Sequence, residues 1–177
     1  HITTNNPTKV YLGLPALGKT YFCDKYKGKV YNGDCFMIKY GKDKEYENLK
    51  GLHHKQIPNW EDTYVKTITN IIQSKQYELV ILGIPNQGRL SEIYENTKLL
   101  SNWYIILPEE PLENLQDLDY IIERVKARGN TEKWVDNFKH SLLYYVQLFK
   151  DFSYQHDVPI KRIKKGLYLS DIADELF

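Results

Sequence analysis

The sequence predicts an α/β fold, a three-layer αβα sandwich built on a mainly parallel sheet of five strands, and three observations carry that expectation. Short β-type runs alternate with amphipathic helical stretches along the chain, the spacing that right-handed βαβ crossovers require. The clearest run, Leu79 to Leu82, is continuously apolar, as a strand covered on both faces of a parallel sheet should be. The chain has 177 residues, 42% of them apolar and 27% charged, which suits a single domain over residues 1–177 with a sizeable core and excludes disorder as a whole-chain account.

The elements follow in order. Lys9 to Leu12 reads as a buried strand, and a helix beginning near Gly18 carries Tyr21, Phe22 and Tyr26. Lys29 to Tyr31 is the second strand, ended by the turn-forming Asn32-Gly33-Asp34. Residues 42–56 are polar and poorly periodic, the pattern of a mobile or loosely helical insertion. Pro58 opens a helix from Trp60 to Ser74, with Tyr64, Ile68, Ile71 and Ile72 at helical spacing. Glu78 to Ile84 is the third strand, broken by Pro85, Asn86 and Gly88; Leu90 to Leu100 reads as a helix and Trp103 to Leu107 as a fourth strand. Asp117 to Arg128 forms a helix that Gly129-Asn130 stops. A long amphipathic helix comes next, with Trp134, Phe138, Leu142, Tyr145 and Leu148 or Phe149 on one stripe, then a short edge strand near Arg162-Ile163 and a final helix from Ser170.

Several function classes fall away on composition. Twenty-four Lys and Arg against 23 Asp and Glu leave a net charge of +1, so no global field draws the chain to nucleic acid or anionic lipid. The longest apolar runs are far short of the roughly 18 residues of a membrane span, so no membrane partner is expected. Cys23 and Cys35 fit no CxxC or CxxH spacing, which points to a reducing, cytoplasmic compartment, and the opening His1-Ile2-Thr3-Thr4 shows no charged-then-apolar leader.

In a parallel α/β sheet, ligands bind beyond the carboxyl ends of the strands, so the residues just after each strand matter most. After the first stands Gly13-Leu14-Pro15-Ala16-Leu17-Gly18-Lys19-Thr20, a full match to G-x-x-x-x-G-K-[ST] between an apolar strand and a helix. Gly13 and Gly18 permit backbone angles and close approach that a Cβ would forbid, so successive N–H groups can point at phosphate oxygens. The helix start adds its positive end to the cradle. Lys19 supplies a point charge for the β- and γ-phosphates, and the Thr20 hydroxyl can ligate the Mg2+ that bridges them. The pattern reads as a nucleoside triphosphate cradle.

With this loop, the second strand ending in Asp34, the Pro58-Asn59-Trp60 helix start, the third strand followed by Arg89, the Arg124-x-x-x-Arg128-Gly129-Asn130 segment and Tyr168-Leu169-Ser170-Asp171, the chain resembles the P-loop kinases of the nucleoside and nucleotide kinase type, including small kinase-like proteins of bacteriophages. The resemblance implies transfer of a phosphoryl group from ATP, with Mg2+, to a nucleoside or (deoxy)nucleotide. It implies that Asp34 holds metal or acceptor or takes the acceptor's proton, that residues 112–133 form a lid whose Arg124 and Arg128 close over the triphosphate, and that Arg89 grips the acceptor's phosphate or sugar. Trp60 is a candidate to stack on the acceptor base. Asp34 can equally satisfy its own turn, and Arg124 and Arg128 can equally form a solvated helix face.

Other residues narrow the choice. No acid follows the third strand, where a motor ATPase needs one, and no N-K-x-D occurs, as a guanine-reading switch requires. His53-His54, His140 and His156 lack partners at ligand spacing. Lys161-Arg162-x-Lys164-Lys165 is a basic cluster, so a kinase acting on a nucleic-acid end or a modified base is one rival; a nucleotide-binding regulatory protein with little turnover is another.

Overall fold

The computed structural model describes residues 6–41, 56–83 and 87–177. The polar stretch 42–55, His53-His54 within it, and Ile84 to Asn86 lie outside the described residues. Five strands form one all-parallel sheet in the order β2-β3-β1-β4-β5, with β1 at Thr8–Gly13, β2 at Val30–Gly33, β3 at Leu79–Leu82, β4 at Ser101–Pro108 and β5 at Ile160–Ile163. The flanking helices make this the α/β architecture that the alternating pattern predicts. No helix among the described residues is long and apolar enough to cross a membrane.

The chain divides into two compact units. The first comprises His1–Val10 and Lys27–Asn102. Its strands β2 and β3 run in register from Val30 opposite Leu79 to Gly33 opposite Leu82. All four side chains of β3 are buried. Helix α3, Trp60–Ser74, buries Tyr64, Val65, Ile68 and Ile72, an i, i+1, i+4, i+8 stripe that gives this part of the chain its core. A helix at Gln87–Thr97, called α4, packs beside α3 and buries Leu90 and Ile93. It starts and ends three residues before the range that periodicity suggests. The short helix α2, Phe36–Tyr40, has no apolar period from which to read it; Gly41, at φ 69°, closes it with its N–H on Met37 O.

Strand β2 also runs two residues beyond its expected end, and Gly33 makes that possible. A Cβ there would sit 2.6 Å from Leu82 Cδ2 and 2.7 Å from Ile81 O. Room, not dihedral freedom, is what the glycine supplies. The Gly33 carbonyl in turn accepts the hydroxyl of fully buried Tyr64, so the end of β2 is tied to α3.

The second unit comprises Tyr11–Tyr26 and Trp103–Phe177. Strands β4 and β5 pair from Ile105 opposite Ile160 to Pro108 opposite Ile163, leaving β5 at an edge as expected. Helix α1 is Lys19–Lys25; α5 is Asp119–Ala127, entered through a 3-10 turn at Leu115–Leu118; α6 is Glu132–His156; α7 is Ala173–Leu176 after a 3-10 turn at Leu169–Ile172. Along α6 the buried stripe is Val135, Phe138, Leu142, Val146, Phe149 and Phe152. Phe138, Leu142, Leu148 and Phe149 of the expected stripe are buried, while Val135 and Val146 take the core positions expected of Trp134 and Tyr145. Trp134 instead lies stacked on Phe138, ring centroids 5.5 Å apart, and stays 39% exposed. Tyr11 anchors the chain terminus: its ring stacks on Tyr104 at 5.0 Å and its hydroxyl donates to Leu176 O at 2.8 Å.

Substituting Gly33→Ala should lower the unfolding free energy by about 1–3 kcal/mol, because backbone and core atoms must shift to admit the methyl group. Urea titration followed by circular dichroism measures this, and an unchanged midpoint would show that β2 is not packed against β3 as described.

Candidate functional site

Beyond β1 the chain turns through Leu14, Pro15, Ala16 and Leu17 to Gly18, which stands at φ 81°, ψ 32° before α1. Gly18 is needed on two counts: its dihedrals are left-handed, and a Cβ would lie 3.1 Å from the Tyr168 ring. Ala16 is left-handed too, at φ 66°. For a residue with a Cβ that conformation costs about 1–2 kcal/mol. The cost is met by a charge-assisted hydrogen bond from Arg124 Nη1 to Ala16 O, 3.0 Å, an interaction of about 1.5–3 kcal/mol.

The next carbonyl is held as well, since Leu17 O accepts from Leu169 N at 3.0 Å. A trans peptide is planar, with its N–H directed opposite its C=O. Fixing the carbonyls of Ala16 and Leu17 on Arg124 and Leu169 therefore directs the amide N–H groups of Leu17 and Gly18 away from those anchors. That is the requirement for an anion nest. Leu14, Ala16 and Leu17 bury their side chains beneath the turn, so the loop is part of the core and not a loose excursion. Lys19 Nζ reaches back to Gly13 O at 3.5 Å, a long hydrogen bond that a phosphate oxygen can replace. Thr20 is exposed in the first turn of α1.

Arg124 is more deeply engaged than a solvated helix face would be. Besides Ala16 O, it donates to Leu167 O at 3.2 Å, and its guanidinium lies 3.8 Å from the centroid of Tyr168 and 5.3 Å from that of Tyr120. Tyr168 is held by its own turn, with its N–H on Asp171 Oδ2 at 2.8 Å. Arg128 caps α5 and remains an exposed residue, yet partial burial of its guanidinium lowers its pKa; the Tyr168 ring opposes this and the like charge of Arg124 adds to it. Tyr168 is the member of this group that spacing alone does not single out as functional. Its partners are Gly18 and Arg124, residues far away in sequence.

In the other unit, Asp34 follows β2. Its N–H donates to Asn32 Oδ1 at 3.2 Å and its Oδ1 accepts from Phe36 N at 3.0 Å, so one carboxylate oxygen does satisfy the local turn. Oδ2 takes no hydrogen bond among the described residues, and Asp34 is exposed. Tyr64, under this turn, has its pKa raised well above the usual phenol value, chiefly by burial, with Cys35 and Asp34 adding to it. Trp60 is half-buried, its ring tilted 62° against Tyr64 with Lys39 Nζ 5.2 Å from its centroid. Arg89 pairs with Asp62 and, at 3.0 Å, with Glu92. An open grip on an acceptor phosphate is therefore not what its guanidinium shows.

Cys23 is 5% exposed, and burial pushes its thiol up to about 12, against the opposing pull of Lys19, so it has no nucleophilic part. Among the described residues no group of three or more His, Cys, Asp or Glu could hold a metal ion. The basic cluster is largely spent on the fold. Lys161 donates to Tyr11 Oη and Glu175 O, and Arg162 donates to Pro108 O and pairs with Glu110. Lys164 and Lys165 remain exposed, a small charge for a nucleic-acid groove.

No protein-family model matches the chain, and no curated protein matches it in sequence. Solved structures do match its fold. A gluconokinase from Sinorhizobium meliloti 1021 superposes with a TM-score of 0.53 at 12% identity, over 98% of this chain and 91% of that one. The tunicamycin resistance protein of Deinococcus radiodurans also gives 0.53 at 12% identity, over 97% and 94%. A sugar kinase from Janibacter sp. HTCC2649 gives 0.51 at 10% identity, over 96% and 91%. The parallel α/β fold is thus one that these kinases and the tunicamycin resistance protein share with this chain.

Arg124→Ala should cost about 2–4 kcal/mol of stability, from two hydrogen bonds and the ring stack, and should weaken ATP binding through the loosened loop. Arg124→Lys should restore less than half of either, because an ammonium group lacks the planar fork. Thermal unfolding and fluorescent ATP-analogue titration read the two effects, and full rescue by lysine would contradict the anchoring role.

Proposed function

We propose that this chain is a P-loop kinase that transfers the γ-phosphoryl group of ATP, with Mg2+, to a nucleoside or nucleotide-like acceptor. The observation that carries the reading is the loop from Gly13 to Thr20, whose carbonyls at Ala16 and Leu17 are held by Arg124 and Leu169 while Lys19 folds back over it. The kinase-like fold of the structural neighbours supports it.

Each residue then has a defined task. The amides of the loop and the Lys19 ammonium bind the triphosphate and offset the charge that accumulates on its oxygens during transfer. Thr20 would hold magnesium, which supplies further charge neutralisation when bound. Arg124 positions the loop, and Arg128, four residues along the same helix, serves as the lid cation of the 112–133 segment. Asp34 Oδ2 receives the acceptor's proton when the acceptor is a hydroxyl. The acceptor oxygen bonds to the γ-phosphorus as the bond from that phosphorus to the β–γ bridging oxygen breaks, and ADP leaves with that electron pair. Trp60 offers a half-buried ring for stacking. The single-domain reading and a cytoplasmic setting accompany this proposal.

Incubation with γ-labelled ATP and pooled nucleosides, deoxynucleoside monophosphates and short DNA tests it directly. Label on a small-molecule acceptor is expected; label found only as inorganic phosphate, or only on DNA, would refute it. Asp34→Asn should lower transfer by about 10²–10⁴-fold, the usual scale for loss of a general base, and leave ATP affinity unchanged. If that variant keeps full transfer, Asp34 is not the proton acceptor.

A further inference from the structure

The unit that carries Asp34 has the features that would bind an anionic acceptor, and its own carboxylates already occupy them. Arg89, in the first turn of α4, is the obvious fork for a phosphate. It is half-buried and meets Asp62 through Nη2 and Glu92 through Nη1. A guanidinium has two good edges for bidentate or paired recognition, and side chains take both of its terminal nitrogens. The amino-terminal end of α3 is the second feature, because unpaired N–H groups and the helix dipole attract negative charge there. Glu61 and Asp62 already stand in that first turn. The same carboxylate, Asp62, therefore answers both the helix end and the arginine. Lys39 places its ammonium 5.2 Å from the ring centroids of Tyr40 and Trp60, a point charge against two aromatic faces. Asp34 follows β2, the strand paired with the β3 that precedes α4, and has a carboxylate oxygen that no described residue satisfies.

Counting formal charges over all the groups named, Arg89 and Lys39 stand against Asp34, Glu61, Asp62 and Glu92, a net charge of −2. A phosphate dianion entering here would meet net repulsion and would have to displace carboxylates already hydrogen-bonded to the arginine. A hydroxyl meets neither penalty. We infer that the Asp62–Arg89–Glu92 set makes the acceptor site selective for an unphosphorylated hydroxyl compound, neutral or cationic, and that Asp62 and Glu92 are specificity-determining residues that turn away phosphate esters. The inference rests on the kinase reading and narrows it, because that reading alone admits both nucleosides and nucleotides.

The arrangement has a simple logic of specificity. Rejecting a competitor is often achieved by unpaired charge or repulsion set against it, not by added attraction to the preferred partner. Two acids on one arginine accomplish that, and removing them should expose a phosphate-binding fork that the fold already contains.

The test uses the whole chain in two arms. In the first, γ-labelled ATP is offered with nucleosides and, separately, with the same nucleosides as 5′-monophosphates. Wild-type kcat/KM should favour the free nucleosides by at least about tenfold, the factor that one lost charged contact represents. Equal or better use of the monophosphates overturns the inference. In the second arm the loop is saturated with Mg2+ and a non-hydrolysable ATP analogue, and binding of labelled thymidine 5′-monophosphate is measured by equilibrium dialysis. Asp62→Asn combined with Glu92→Gln should bind it about tenfold more tightly than wild type, and adding Arg89→Gln should abolish the gain. Tighter binding by wild type than by the double variant overturns the inference, as does an Arg89→Gln single variant that loses binding present in wild type. Asp62→Asn alone, with circular dichroism to confirm folding, serves if the double variant does not fold. Absence of transfer to every acceptor, with ATP analogue bound, would defeat the kinase reading, while the dialysis arm would still decide the charge argument by itself.

Discussion

A trans peptide cannot turn its carbonyl one way without turning its N–H the other, and the loop from Gly13 to Thr20 is organised by that constraint. Arg124 takes the carbonyl of Ala16, and Leu169 N takes that of Leu17. Two amides are thereby aimed by the chain's own contacts. Preorganisation of this kind matters because dipoles that already point at developing charge need no rearrangement at the moment of reaction. The left-handed Ala16 and Gly18 are the local expense of that geometry, and the stack of Arg124 on Tyr168 keeps the anchor in place.

The same economy of contacts explains why Arg124 and Arg128, alike in sequence, behave differently. They lie four residues apart on one helix. Arg124 is spent on two backbone carbonyls and two rings, whereas Arg128 holds the end of the helix in an exposed position with its charge made less comfortable by partial burial. A cation that is fixed can shape a loop, and one that is only partly paired is better suited to meet a mobile anion.

Much of this architecture is legible in the amino-acid sequence. The loop is a local pattern of eight consecutive residues in which Gly13, Gly18, Lys19 and Thr20 each have a stated job, and the continuous apolar run of β3 needs no distant partner to be recognised. What escaped has a common cause. The tie from Arg124 to Ala16 spans 108 residues, and the pairing of Arg89 with Asp62 spans 27; neither leaves a mark in spacing. Helix α2 is five residues long, too short to show a period, and along α6 Val135 and Val146 are buried where the apolar pattern points to Trp134 and Tyr145. Asp34 illustrates a different limit: its turn and its open oxygen coexist, so the structural and the chemical reading of that residue are both present in one carboxylate.

The central claim is that the main-chain amides from Leu17 to Thr20 form a ready-made seat for polyphosphate. Amide-resolved NMR on isotopically labelled protein, titrated with Mg2+ and ATP, tests it most directly. Large, saturable shifts concentrated on Leu17, Gly18, Lys19 and Thr20, much weaker with AMP, are the expected result; shifts that spare those amides, or that follow the base and not the number of phosphates, would contradict the account.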